Sequence, residues 1–134
     1  MEAKLNERSL DTLCGALAYA MGIQPPAHAA EANEALTEYV DNAFGGKKAD
    51  RVFMYNPDAI ALWLYQKYPE LFSQVIANSQ MALPVYSVMP SVTPVCFASM
   101  YTGLQPADHG IQAYVKPVLS VPTLFDAAIA AGRR

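Results

Sequence analysis

Residues 82–111 read ALPVYSVMPSVTPVCFASMYTGLQPADHGI. The first eight are an apolar run of strand length, bent at Pro84, while TPVCFASMYTG, residues 93–103, reads as a helix ended by Gly103. A strand that passes within a few residues into a helix is half of a parallel βαβ unit. In an open parallel sheet, ligands gather beyond the carboxyl ends of the strands, and Thr93 stands at such an end. With Thr93 as N-cap and Pro94 in the first helical position, the amides of Val95 and Cys96 are left open beside the cap, an anion-binding arrangement. A threonine hydroxyl placed there can bind a cation, lose its proton and attack phosphorus. The plainer reading of the same Thr-Pro pair is an ordinary helix cap.

Upstream, RVFMYN (51–56) is a short apolar and aromatic run, expected to be a strand buried on both faces. Asp58 follows it, as a second chemically useful residue at a strand end or as a simple cap. DAIALWLYQKY (58–68) and ELFSQVIAN (70–78) read as helices, with Ile60, Leu62, Trp63, Leu64 and Tyr65 as core packing. Downstream, IQAYVKPVL (111–119) reads as extended and TLFDAAIAAG (123–132) as a last helix. This alternation predicts an α/β fold, a parallel sheet with flanking helices and right-handed crossovers.

Before it, Leu10, Leu13, Leu17 and Met21 recur at helical spacing over residues 9–21, with Ser9 as cap and Gly22 as stop. A second amphipathic helix is predicted over residues 30–44, carrying Leu36, Tyr39, Val40 and Phe44 on one side. Gly45-Gly46 is the best boundary in the chain, so residues 1–46 read as an N-terminal helical pair and residues 47–134 as the α/β part.

The 134 residues fit one domain or a piece of one; 53% are hydrophobic and 16% charged, so some apolar surface is expected to be covered by something else. A net charge of −3, with no basic cluster larger than Lys47-Lys48, excludes nucleic-acid binding as the expectation. Cys14 and Cys96 have no ligand-like spacing and read as buried thiols in a reducing cytoplasm. MEAKLNERS has no signal-peptide core, and LCGALAYAMGI is too short to span a bilayer, so no membrane association is expected. His28 lies in a proline-flanked loop, His109 reads as a packing residue, and Glu31, Glu34 and Glu38 form a solvated helix face.

The stretch MPSVTPVCFASMYTGLQPADHGI resembles the nucleophile region of the alkaline phosphatase superfamily, in particular its type I phosphodiesterase and nucleotide pyrophosphatase branch. In that branch a proline-rich strand end leads to a nucleophilic threonine, then a Thr-Gly pair, then Pro-x-x-His-Gly-Ile. Thr93, Thr102-Gly103 and Pro106, His109, Gly110, Ile111 stand at those spacings. RVFMYNPDAI resembles the family's first strand, whose terminal aspartate binds metal and falls on Asp58; VPTLFDAAIAAGRR resembles the helix that follows later. The likeness covers about residues 51–134. The departures are Cys96, where nucleotide pyrophosphatases place an asparagine, and Asp58-Ala59, where the family has Asp-Gly.

The resemblance implies phosphoryl transfer at a site of two divalent metal ions, zinc first, with manganese as the alternative. Asp58 and Thr93 would share one of them, with Thr93 as the catalytic nucleophile. The family's remaining aspartate and histidine ligands have no counterpart in this sequence, and one aspartate and one threonine do not complete a site. The expectation is therefore an N-terminal portion of a metal-dependent phosphodiesterase or phosphatase. By itself it should be inactive, holding at most one weakly bound metal ion. Its partners would be a phosphate ester substrate and the remainder of the catalytic domain or a partner chain, a homodimer included. The alternative is a non-catalytic α/β module that binds a partner through an open sheet edge.

Overall fold

Left-handed glycines end the helices where the sequence punctuates them. In the computed structural model, which describes residues 8–133, α1 (Thr12–Met21) closes on Gly22 at φ 66° and α2 (Glu34–Phe44) on Gly45 at φ 57°. Asn33, buried, caps α2 by accepting from the Leu36 amide at 3.3 Å. Further along lie α3 (Leu62–Lys67), a 3-10 turn (Pro69–Phe72), α4 (Ser73–Asn78), α5 (Thr93–Thr102), α6 (Pro106–His109) and α7 (Leu124–Ala130). A capping box opens α7: Asp126 takes the Thr123 amide at 2.7 Å, and the Asp126 amide returns to Thr123 Oγ1 at 3.3 Å.

The parallel sheet expected from the alternating pattern is absent among the described residues, and the fold is mainly helical. A strand persists only when its amides and carbonyls find a ladder, and the described part of the chain supplies one rung of parallel pairing, Ser9 with Tyr86. There the Tyr86 amide donates to the Arg8 carbonyl at 2.7 Å and the Leu10 amide to the Tyr86 carbonyl at 2.9 Å. Segments 51–56 and 111–119 carry no strand. Phe53 is 97% and Val118 96% exposed, so apolar composition there does not report burial on two faces. Pro84 and Pro117, lacking an N–H, further weaken two of the three candidate strands. A two-residue period does survive in 51–56: Val52, Met54 and Asn56 are half-buried while Phe53 and Tyr55 are exposed.

The chain forms two compact units, residues 8–53 with 85–133, and residues 54–84. The smaller one contains α3, the 3-10 turn and α4, none of which has a buried residue; the Tyr65 and Phe72 rings meet at 5.6 Å. Ile60, Leu62 and Trp63, expected in the core, are exposed.

The larger unit has two apolar clusters. Val88, Val95, Ala98 and Ile111 form one, with Leu10, Val92, Cys96 and Leu119 against it; Cys14, Ala18 and Leu124 form the other, with Leu17, Met21 and Ile23. Val95 is fully buried, which contributes about 1.5–3 kcal/mol relative to an exposed valine. Both clusters touch α1, α5 or the chain beside them, so the helix that begins at Thr93 is held from below by packing.

Candidate functional site

The larger unit brings Thr93 to the start of a ten-residue helix. Val92 precedes it in an extended conformation (φ −123°, ψ 151°) and occupies the N-cap position, with no side-chain capping bond. Thr93 and Pro94 are thus the first two helical residues, one position further in than the sequence suggested. The shift has a consequence. The Cys96 amide, expected to be open, donates to the Val92 carbonyl at 3.0 Å, and Pro94 has no amide to offer. The positive end of the helix dipole still lies at Thr93, which is half-buried.

Two serines that the sequence reading passed over sit beside this helix start. Ser87 Oγ is 2.8 Å from Ser91 Oγ and 3.3 Å from Cys96 Sγ. Cys96 stands three residues after Thr93 on the same helix, so two hydroxyls and a thiol gather near the first turn of α5. The turn that makes this possible runs through Pro90, whose carbonyl accepts the Val92 amide at 2.9 Å. The spacing of four residues between Ser87 and Ser91, across a proline, was the available signal.

Asp58 belongs to the smaller unit, where it is exposed in a turn after Pro57. Its Oδ1 accepts the Ala59 amide at 2.9 Å. Ala59 has φ 57°, the left-handed region that glycine enters without a Cβ clash. The geometry that an Asp-Gly pair suits is therefore present, with alanine in the glycine's position.

His109 is buried, 3% exposed, and both ring nitrogens are occupied: Nε2 lies 3.0 Å from Ser99 Oγ and Nδ1 accepts the Ile111 amide at 3.2 Å. Burial pushes its pKa below the usual histidine value. His28 is exposed in its loop at φ 66°. Among the described residues, no three His, Cys, Asp or Glu side chains stand together as a metal site. None of the helices there is long and apolar enough to cross a membrane.

A family model described as type I phosphodiesterase / nucleotide pyrophosphatase matches residues 31–128. No curated protein and no solved structure matches the chain.

Proposed function

The chain belongs to the type I phosphodiesterase / nucleotide pyrophosphatase family, and from that premise we propose that it carries the nucleophile-bearing part of a metal-dependent phosphoric-ester hydrolase, with Thr93 as the nucleophile. The observation that supports this best is Thr93 itself, the first residue of α5, at the positive end of a ten-residue helix. In the proposed reaction Thr93 Oγ1 forms a bond to phosphorus as the ester P–O bond breaks, and the departing alcohol takes a proton. Water then cleaves the phospho- or nucleotidyl-threonine.

The family acts on phosphate esters and is generally metal-dependent. The described residues do not by themselves fit a complete metal site. In this reading Asp58 and Thr93 give two oxygen ligands for a divalent ion, zinc before manganese, and the other ligands of the two-ion site come from the remainder of a catalytic domain or a partner chain. The isolated chain then turns over little or no substrate. A cytoplasmic location accompanies this reading, on the ground that Cys14 and Cys96 are free thiols.

The test is a phosphoesterase assay with Zn²⁺ or Mn²⁺ on the full-length gene product that carries these residues. Wild type hydrolyses bis-p-nitrophenyl phosphate or the monoester and Thr93→Ala does not. Turnover retained in Thr93→Ala overturns the assignment.

One observation favours a second reading, a non-catalytic partner-binding module or homodimer: Phe53, Tyr55 and Val118 are large apolar residues left almost wholly exposed. The sheet edge once expected to bind such a partner is not among the described residues.

A further inference from the structure

Residues 8–30 precede the family-matched span, yet they engage the Thr93-bearing helix before, along and after its length. On the approach to α5, Arg8 and Leu10 pair with the Tyr86 backbone. Leu10 then packs into the cluster that contains Val95 and Ala98, both on α5 itself. At the other end, Cys14 Sγ donates to the Tyr101 carbonyl at 3.5 Å and the Ala30 amide to the Gly103 carbonyl at 2.7 Å.

Asp11 adds the polar contact. It occupies the N-cap position of α1, where an aspartate ordinarily accepts the first-turn amides of its own helix. It makes no such bond. Its Oδ2 instead accepts from Gln105 Nε2 at 2.7 Å, just past the end of α5. The residue is 6% exposed, and its Oδ1 has no hydrogen-bond partner among the described residues. A buried carboxylate with one oxygen unpaired is destabilising by itself. Its side chain therefore forgoes a local cap and accepts that cost to reach across to the segment behind α5.

We infer that residues 8–30 form an intramolecular brace that sets the position of α5, and that Asp11, through Gln105, is the positioning residue of that brace. A helix held at both ends moves as a rod, so fixing Tyr86 on one side and Tyr101 to Gln105 on the other fixes the hydroxyl of Thr93. Small displacements of a reacting group are costly for rate. The bearing of the brace on catalysis rests on the Thr93 reading, whereas its existence does not.

Amide hydrogen exchange on the whole chain tests it. Asp11→Ala and Gln105→Ala are each expected to speed exchange at residues 101–109 by about tenfold or more, the scale of a hydrogen bond to a charged group. The amides of α2 stay within about twofold of wild type, as expected for local rather than global opening. The double variant should be no faster than either single. Asp11→Asn, which keeps an acceptor for the Gln105 amide, should restore slow exchange. Gln105 is exposed, so Gln105→Ala carries the test even where Asp11→Ala fails to fold. Unchanged exchange, equal acceleration in α2, additive single effects, or an Asp11→Asn as fast as Asp11→Ala each overturns the brace. None of these outcomes involves turnover, so the brace and the nucleophile assignment stand or fall separately.

Discussion

Ser99 Oγ and His109 Nε2 lie 3.0 Å apart in a pocket that excludes solvent from both side chains. Because Nδ1 accepts the Ile111 amide, the ring proton sits on Nε2 and Ser99 accepts it. A second ring proton would break the Ile111 bond, and burial already lowers the histidine pKa. Unfolded chain takes up that proton as pH falls through about 6.5, and the folded protein resists. Stability from this site is complete above the unfolded value and is lost progressively as pH falls towards the folded one. Urea unfolding at pH 7.5 and pH 5.5 should show the loss, and His109→Gln should flatten it. A His109→Gln variant with the wild-type pH dependence would count against the pairing.

At Ala59 the backbone is left-handed, φ 57°, with the Ala59 amide on Asp58. Replacing alanine by glycine relieves a steric cost of about 1–2 kcal/mol and adds back roughly half of it as unfolded-chain entropy. Ala59→Gly should therefore stabilise its unit by about 0.5–1 kcal/mol. Slower amide exchange across residues 62–78 is the readout; faster exchange sinks the prediction.

Gly103 is the opposite case. It ends α5 at φ 73°, and a Cβ built there would lie 2.6 Å from Ala29 Cβ and 3.2 Å from Cys14 Cβ. Gly103→Ala combines left-handed strain with overpacking and should cost about 2–4 kcal/mol in a denaturant melt. A change below about 0.5 kcal/mol, typical of surface substitutions, would show that the loop at Ala29 yields freely.

If Asp58 gives one oxygen to a metal ion shared with Thr93, Asp58→Asn should weaken Zn²⁺ binding about ten- to a hundredfold in calorimetric titration of the full-length gene product. Asparagine retains an acceptor for the Ala59 amide, so the turn should keep its shape and isolate the loss of charge. Identical titrations for the two proteins remove Asp58 from the site.

The helix signals were legible because they are local. Gly22, Gly45 and Gly103 each stop a helix in the left-handed conformation, and Thr123 with Asp126 forms its capping box within four residues. The sheet was misread because strand pairing is non-local: the runs at 51–56 and 111–119 satisfy the composition rule without a partner to complete it. Thr93 at a helix start followed from Pro94 and the spacing to Gly103. Its surroundings did not. Which amide is consumed depends on a one-residue shift in the cap, and the Ser87–Cys96 contact depends on how the chain turns at Pro90. The N-cap of α1 falls on Asp11 and not on Ser9, the cap expected from the sequence, and the Asp11 side chain has its partner in Gln105, 94 positions along the chain.

Of the two thiols, Cys14 is wholly buried, and desolvation pushes its pKa up to about 11, so it stays protonated near neutral pH. Cys96 is partly accessible and lies three residues beyond Thr93. A maleimide fluorophore offered to the native protein should therefore attach at a single position, giving an optical reporter on the first turn of α5 without any engineered cysteine.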